Sequence, residues 1–333
     1  MLVEDIKILF LAHYAPKTIN SPTHTEAKDA IYAKYHFEVF KILKSLFPKT
    51  YPSNTPEIML TEFLDVDYVF SLYNKMPFRN SEVFISSVSE YHGIPYLGAT
   101  PNIRALAEDK HLAKMMAKYA GVNTPKWCIY SVGSDLSKPY FDPPYFCKPR
   151  FGAASIGIDE TSVCKSWNEA QKKILMLHAQ KMDVILEQQI QGVYHTSPVL
   201  YNFKNYMTLP CIAQHSSLKD GIVTYEQKRK IAPGLTRNVV TDTDLNNQIQ
   251  KESIKMYNLV QPLDYTRFDY VVELKTDIPY FIEFNVCCNL GRHSTISQSA
   301  TSIGISYEEL IENITYSSLF RNGLLDEDFG KQF

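Results

Sequence analysis

Several signatures that would classify a protein at once are missing from this chain of 333 residues. It has neither a GxxxxGK(S/T) phosphate loop nor a GxGxxG dinucleotide fingerprint, so a bound nucleotide would have to be held by another device. The formal net charge of −2 excludes the strongly basic surface on which sequence-independent binding of nucleic acid depends. No apolar run approaches the length that spans a membrane, so we predict no membrane association.

Cysteine is scarce, and its spacing does not suggest a metal site. No CxxC pair occurs, and a chain of this size does not need disulfide bonds to be stable. Glu4 and Asp5 stand where a secretory signal peptide would be basic. We therefore predict a cytoplasmic protein in which all of the cysteines are free thiols: Cys128, Cys147, Cys164, Cys211, Cys287 and Cys288.

The first hundred residues alternate between strand and helix patterns. Hydrophobic residues make up 45% of the chain, enough for a large core and for two or three domains. Continuous apolar runs are typical of buried parallel strands. The predicted elements are a strand at 6–12, a helix at 25–46, a strand at 67–72, a helix at 80–92 and a strand at 94–98. This succession indicates an open α/β domain over residues 1–100.

A single helix is predicted to follow this domain. Thr100 is a suitable N-cap, Pro101 suits the first helical position, and Gly121 ends the pattern. Asp109 and Lys110 are then expected inside the helix.

Two polar-apolar-polar triplets, Arg267-Phe268-Asp269 and Glu283-Phe284-Asn285, are the most informative feature. They lie on runs that predict one β-hairpin, with turn residues at Lys275-Thr276-Asp277 between them. Because side chains alternate across a strand, the four polar residues share one face and the two phenylalanines point to the other. Carboxylate and amide oxygens favour a Mg²⁺ site that also uses phosphate oxygens. A solvated sheet face would show the same alternation.

Three lysines on separate segments are candidates for binding phosphate: Lys110, Lys148 and Lys228. Lys148 ends an apolar strand and precedes the small residues of 152–157, where backbone N–H groups could approach phosphate oxygens closely. Lys228 lies in the basic stretch 216–238, which is typical of a mobile loop. Any one of these lysines alone is more typical of a solvated surface charge.

Taken in order, these segments resemble the ATP-grasp fold, in its D-alanine–D-alanine ligase branch. The resemblance covers nearly the whole chain and is carried by Asp109-Lys110, Lys148-Pro149 with Gly152 to Gly157, Ile185-Leu186-Glu187, Glu226-Gln227-Lys228 and the two hairpin triplets. It implies an α/β fold that becomes α+β in its C-terminal part and clamps ATP between two sheets. The implied domains are the N-terminal α/β domain 1–100, a central subdomain 101–190, and a C-terminal subdomain 191–333 with the metal site and the loop 216–238.

The resemblance also implies which residues bind ATP. The α- and β-phosphates would be held by Lys110 and Lys148, and the terminal phosphates by Lys228. Adenine would lie against Glu187 and the backbone at Gln188 and Ile190. Of two serines that the family carries in the small-residue loop, Ser155 remains as a ligand.

The metal ligands and the catalytic groups follow from the same resemblance. Two Mg²⁺ ions, with Mn²⁺ as a substitute, would be carried by Asp269, Glu283 and Asn285. Arg267 and the backbone near Asn289 would stabilise an oxyanion, and Ser294 would take the carboxylate of the incoming amino acid. Phosphoryl transfer from ATP converts a carboxylate oxygen into a leaving group, so an amine can attack without a nucleophilic side chain.

The departures from the family pattern lie mainly on the side of the first substrate. Leu72-Tyr73-Asn74 replaces a His-Gly pair, and 75–79 replaces an acidic glycine-rich turn. Ala154 replaces the first loop serine, Arg229 replaces an aromatic residue, and Tyr194 replaces the glutamate that holds the ribose. A small zwitterion needs counter-groups for its ammonium, so their loss predicts a different first substrate.

We therefore predict an ATP-dependent, ADP-forming carbon–nitrogen ligase that phosphorylates an acceptor and couples it to the amine of an amino acid. The pattern is similar to the D-alanine–D-alanine ligase-like enzymes of mycosporine-like amino acid assembly, in which mycosporine-glycine and an amino acid give an imine. A D-alanine–D-alanine or other dipeptide ligase is the alternative, and a non-catalytic nucleotide-binding regulator is the alternative from another class. The expected partners are small-molecule substrates, and the resemblance implies a homodimer.

Overall fold

A computed structural model describes residues 2–17, 19–26, 29–61, 64–73, 81–152, 155–218, 227 and 233–326. Three β-sheets, each covered by helices, account for most of this part of the chain. Within it, no helix is both long enough and apolar enough to cross a membrane. All six cysteines are free thiols, as predicted, and four of them are buried.

The first sheet is parallel and lies in the N-terminal hundred residues. Its elements and neighbouring helices are β1 (Ile8–Leu11), α1 (Ala30–Leu46), β2 (Thr50–Ser53), β3 (Tyr68–Ser71) and α2 (Val83–His92). The strand order is β2-β1-β3, with the buried strand β1 in the centre. The first four predicted elements, at 6–12, 25–46, 67–72 and 80–92, are therefore confirmed.

One local prediction in this region was wrong, and one strand was not predicted. Residues 94–98 form no strand, and only Tyr96 makes an isolated parallel bridge, to Val69. The edge strand β2 escaped prediction because it is short, is mostly exposed and contains Pro52, which is tolerated only at a sheet edge.

The single helix predicted after Pro101 is in fact two helices. They are α3 (Pro101–Glu108) and α4 (Lys110–Tyr119), separated by Asp109 in an extended conformation. The Asp109 carboxylate caps α4 by accepting the His111 N–H at 3.0 Å and forms a two-point pair with Arg150, at 2.9 and 2.6 Å. These bonds compensate for the break between the two helices. Lys110 therefore lies at the first position of α4 and not in the middle of one long helix, as was predicted.

The second sheet is antiparallel. Its elements are β4 (Trp127–Tyr130), β5 (Tyr145–Pro149), β6 (Val163–Cys164), α5 (Trp167–Ala179) and β7 (Val184–Gln188), and the strand order is β4-β7-β5-β6. The apolar face of α5 packs on this sheet through Ala170, Ile174 and Leu177, all fully buried.

The third sheet is the largest and is also antiparallel. Its elements are β8 (Gly192–Asn202), β9 (Asn205–Thr208), β10 (Ile212–Ser216), β11 (Leu235–Val239), α6 (Thr243–Tyr257), β12 (Tyr265–Glu273) and β13 (Pro279–Asn285). The order is β11-β10-β8-β12-β13, with β9 paired to β8. The hairpin predicted from the triplets is thus formed by β12 and β13.

Two C-terminal helices join the first and third sheets into one core. They are α7 (Thr295–Ser302) and α8 (Tyr307–Arg321). A single cluster of buried side chains includes Phe10 of β1, Phe40 of α1, Tyr265 of β12 and Leu310 of α8. The N-terminal sheet is therefore held directly against the hairpin sheet.

Asp264 is the polar centre of this junction. It is fully buried, and its carboxylate accepts hydrogen bonds from Arg321 at 2.6 and 3.0 Å, from Ser318 Oγ at 2.6 Å and from the Gly98 N–H at 2.6 Å. Burial disfavours the charged form of Arg321, but Asp264 outweighs that effect and holds the pKa of the guanidinium above its ordinary value. Asp264 thus links Arg321 of α8 to Gly98, in the chain segment that precedes α3.

We predict that Asp264→Ala lowers the free energy of unfolding by about 3–5 kcal/mol, because it leaves Arg321 largely buried without a counter-charge. Urea denaturation measures this loss. Asp5→Ala is the control, since its pair with Lys49 is exposed and should contribute less than about 1 kcal/mol. Equal losses in the two variants would contradict the assignment of Asp264 as the junction's centre.

Candidate functional site

The polar face of the β12–β13 hairpin forms the centre of the site. Asp269 lies directly opposite Glu283, and Arg267 lies directly opposite Asn285. The phenylalanines of the two triplets are buried on the other face, where their rings stack with centroids 5.8 Å apart. The structure therefore brings together the four polar side chains that the sequence placed on one face.

A hydrogen-bond network fixes the Asp269 carboxylate. Its Oδ1 accepts from Thr196 Oγ1 on β8 at 2.9 Å, and its Oδ2 accepts from Asn285 Nδ2 at 3.0 Å. Arg267 Nε lies 3.4 Å from the same Oδ2. Burial alone would lower the pKa of Arg267, but Asp269 leads the charges that keep it above its usual value.

This arrangement suits a divalent cation that shares its ligands with a phosphate. Two carboxylates and one amide lie on one face, and Mg²⁺ is usually bound by one or two carboxylates together with substrate phosphates. Because Asn285 donates through Nδ2, its carbonyl oxygen is oriented away from Asp269. Among the described residues no cluster of three or more His, Cys, Asp or Glu side chains could hold a metal without such help.

A second cluster of charged side chains lies on the second sheet and on α4, across the cleft from the hairpin. Glu187 of β7 is 2% exposed and stands between two buried lysines. Its carboxylate oxygens are each 3.1 Å from an ammonium nitrogen, one of Lys148 on β5 and one of Lys114 on α4. Lys114 was not among the predicted site residues, although its four-residue spacing from Lys110 places both lysines on one side of α4.

Burial and mutual attraction oppose each other in this group. Burial would raise the pKa of the Glu187 carboxyl, but Lys114 and Lys148 outweigh it and hold the pKa below the ordinary value. For Lys114, burial dominates and lowers the pKa to about 8, with Glu187 opposing the change. The Lys114 ammonium also donates to Thr124 Oγ1 at 2.9 Å.

Two contacts connect the facing sheets. Lys110 Nζ donates to the carbonyl oxygen of Gly152 and lies 3.9 Å from Glu283 Oε2 on the hairpin. Thr124, the partner of Lys114, donates to the carbonyl oxygen of Phe281 on β13 at 2.8 Å. Lys110 and Lys114 of α4, together with Lys148 of the second sheet, thus lie on the side of the cleft that faces the acids of the third sheet.

A cleft opens between these sheets and encloses about 430 Å³ when the open solvent at its mouth is included. It is lined on one side by Phe146, Lys148 and 187–190, and on the other by Gly192, Tyr194, Val271 and Ile282. The mixture of apolar walls with a few charged side chains suits a nucleotide base and sugar. The backbone N–H of Gln188 donates to the Lys126 carbonyl at 2.8 Å. Of the backbone groups of Gln188, only the carbonyl is then left to bind a base.

The small-residue loop after β5 turns sharply beside the cleft. Gly157 has φ of +75°, and a Cβ there would lie 2.7 Å from Pro149 Cγ, so both conformation and space require glycine. Ser155 also lies in the left-handed region, with φ of +61°. Its carbonyl accepts the Ile158 N–H at 3.1 Å and closes the turn.

The loop after the hairpin leads into α7. Asn289 Oδ1 accepts the Gly291 N–H at 2.7 Å, and the Leu290 N–H donates to the Tyr35 hydroxyl at 3.1 Å. Ser294 is the N-cap of α7, where its hydroxyl accepts the Ser297 N–H at 3.1 Å. Its side chain therefore already has a structural role at the place predicted for a carboxylate.

Some predicted positions lie outside the described residues. They are Lys228, expected at the terminal phosphates, and the departures at Asn74, 75–79, Ala154 and Arg229. Of the other departures, Leu72 is buried, Tyr73 packs against His13 with ring centroids 3.7 Å apart, and Tyr194 lines the cleft.

Comparison with known proteins gives a consistent result. Residues 116–316 match the family model described as D-ala D-ala ligase C-terminus. A D-alanine–D-alanine ligase of Clostridium botulinum is 25% identical over 290 residues, which cover 85% of this chain and 91% of that protein. D-alanine–D-alanine ligase A of Clostridium perfringens is 25% identical over 272 residues, covering 80% and 85%.

Solved structures of similar shape cover almost the whole chain. The D-alanine–D-alanine ligase of Bacillus anthracis, crystallised with ATP, has a TM-score of 0.74 at 19% identity, covering 96% of this chain and 99% of that one. A D-Ala:D-Ser ligase of Enterococcus faecalis has a TM-score of 0.70 at 18% identity, covering 94% and 99%. These likenesses establish the fold.

Because Lys114 lowers the pKa of Glu187, the wild type should lose more stability in acid than a variant without this lysine. A carboxyl whose pKa is lowered by folding contributes stability above its unfolded pKa, and that stability is lost as the pH falls through its folded pKa. Lys114→Met removes one of the two cations that lower the pKa of Glu187. We predict that the free energy of unfolding falls less steeply between pH 6 and pH 3 in this variant than in the wild type.

Urea denaturation at several pH values measures both slopes. Lys118→Met is the matched control, because Lys118 is exposed on the same helix and should leave the slope unchanged. Equal slopes for the wild type and Lys114→Met would contradict the pairing of Lys114 with Glu187.

Proposed function

Because the chain belongs to the D-alanine–D-alanine ligase family of ATP-grasp enzymes, matching its C-terminal model over residues 116–316, we propose that the cleft binds ATP for the joining of two amino acids. The chain is an ATP-dependent, ADP-forming carbon–nitrogen ligase. In the proposed reaction, the terminal phosphate of ATP is transferred to a carboxylate oxygen of the first amino acid, and ADP is formed. The amine of the second amino acid then displaces phosphate and forms the carbon–nitrogen bond.

One observation carries this proposal. Asp269 and Glu283 lie side by side on the hairpin, and the Lys110 ammonium approaches Glu283 to 3.9 Å from the facing side. Phosphoryl transfer needs cations that neutralise the charge on the transferred group, and it needs little covalent chemistry from the protein. A carboxylate pair for metal beside a lysine for phosphate meets this need.

We assign the roles of the individual residues on this basis. Two Mg²⁺ ions, replaceable by Mn²⁺, would be held by Asp269, Glu283 and Asn285, and would neutralise phosphate charge when bound. Lys110, Lys148 and Ser155 would bind phosphates, as would Lys228. Adenine would lie in the cleft against Glu187, the carbonyl of Gln188 and the backbone of Ile190. Arg267 and the backbone near Asn289 would stabilise the oxyanion, and Ser294 would take part in binding the second substrate.

The first substrate is the point on which two proposals differ. The relatives named above are ligases of D-alanine with D-alanine or D-serine, which favours two amino acids. None of these relatives supports mycosporine-glycine as the acceptor. The departures from the family pattern, at 72–79 above all, are the observation in favour of an acceptor other than D-alanine. The cytoplasmic location, the homodimer and the domain limits at residues 100 and 190 stay predictions.

We predict that Glu283→Gln lowers ADP-forming turnover on the order of 100-fold or more, because metal binding supplies several kcal/mol of charge stabilisation. The measurement is ADP release at saturating Mg²⁺, with a thermal melt to confirm folding. Glu273→Gln is the matched control: Glu273 lies at the far end of the same hairpin and pairs with Thr276. Unchanged turnover in Glu283→Gln would remove the metal assignment.

The substrate class can be decided by ADP release from the wild type with a panel of acceptors. The panel contains pairs of D-alanine, D-alanine with D-serine, and mycosporine-glycine with glycine or serine. We expect release with at least one pair of amino acids. Release only with mycosporine-glycine would replace this proposal by imine formation, and silence with every pair would favour a nucleotide-binding regulator.

A further inference from the structure

Arg237 is a charged residue of the site to which no role has been assigned. It lies on β11, and its guanidinium is partly buried. Its Nε donates to Gln214 Oε1 at 3.2 Å, and its Nη1 donates to the carbonyl oxygen of His293 at 3.0 Å. Both partners are neutral, and no carboxylate of the described residues forms an ion pair with it.

The contact with His293 places this guanidinium at the start of α7. His293 immediately precedes the N-cap Ser294, and Gln298 Nε2 in the next turn donates to the same carbonyl at 3.3 Å. The N-terminal end of a helix carries partial positive charge and attracts anions. The first residue of the helix, Thr295, is 2% exposed, and its hydroxyl forms no hydrogen bond within the described part of the chain.

The electrostatic surroundings of Arg237 favour an anion. Arg267 is close enough to disfavour the charged form of Arg237, and burial lowers the pKa of Arg237 further than this neighbour does. Arg267 has the Asp269 carboxylate 3.4 Å away, whereas Arg237 has only carbonyl and amide oxygens. A partly buried cation with neutral partners is stabilised by an anion that binds beside it.

Ser294 cannot by itself supply the positive charge that would compensate a bound carboxylate. Its hydroxyl is neutral and already accepts the Ser297 N–H at 3.1 Å while donating to Ser297 Oγ at the same distance. A carboxylate leaving water for a partly buried site needs a compensating charge, not a hydroxyl only.

We infer that Arg237 binds the carboxylate of the amino acid that supplies the amine, at the N-terminal end of α7. This inference rests on the ligase reaction proposed above and names the charged group that selects its second substrate. It requires the amino acid to be bound through a free α-carboxylate. An amino acid amide, which keeps the amine but lacks the negative charge, should therefore be a poor ligand.

Calorimetric titration in the presence of MgADP tests this without turnover. The probes are D-alanine and glycine, each compared with its amide. We expect the wild type to bind at least one acid ten times more tightly than its amide, and Arg237→Gln to lose that preference through weaker binding of the acid. Arg237→Lys, which keeps the charge, should recover part of the preference, and MgADP affinity should stay within twofold in both variants.

Arg292→Gln is the control variant. Arg292 lies in the loop that leads into α7, but its side chain is half exposed and pairs with Glu308. Its loss should therefore leave the preference for the acid unchanged. Equal binding of acid and amide by the wild type would overturn the inference, as would an unchanged preference in Arg237→Gln. The inference would also be overturned if Arg237→Gln weakened the binding of MgADP but not that of the acid. Arg237 would then act on the proposed metal ligand Asp269, through the hydrogen bonds that join Gln214, Thr196 and Asp269. Failure of the ligase proposal would appear separately, as absence of ADP release by the wild type.

Discussion

The register of one hairpin sets the positions of the acidic side chains on which the proposed chemistry depends. Antiparallel pairing sets Asp269 of β12 directly opposite Glu283 of β13, and a slip of one residue would turn the displaced strand's carboxylate toward the apolar layer. That layer fixes the register, because Phe268 and Phe284 are almost completely buried and each contributes about 1.5–3 kcal/mol through burial. The hydrophobic core beneath the sheet therefore positions the acidic groups above it.

Charge pairing explains how so many ionised groups coexist between the two sheets. Glu187 serves two buried ammonium groups, Lys114 and Lys148, at equal distances of 3.1 Å. Removing one member of such a group leaves a buried charge uncompensated, which is far more costly than losing an exposed pair. The cleft thus has a rigid charged wall before any ligand enters, and pre-organised charge of this kind is what stabilises charge that develops during a reaction.

The sequence predicts best those features whose partners lie close together in the chain. The hairpin could be predicted because its residues alternate with period two and a turn separates them. The break at Asp109 could not, since it depends on Arg150, 41 residues later, whose guanidinium binds the capping carboxylate. Arg237 was hidden for the same reason: its two partners lie 23 residues before it and 56 residues after it. Only the folded sheet shows that this arginine reaches the start of α7.

The two halves of the site differ in how their charges are balanced. In the half proposed for the nucleotide, Lys148 and Lys110 each have a carboxylate within 4 Å, so their charges are partly compensated within the protein. In the half proposed for the amino acid, Arg267 lies beside Asp269, a proposed metal ligand, and Arg237 is held by neutral oxygens only. A partly buried guanidinium without an acidic partner costs stability, and folding alone gives no reason to keep it at that position. The cost is offset if the missing negative charge arrives with a ligand, which is why this half of the cleft is where the amino acid should be selected.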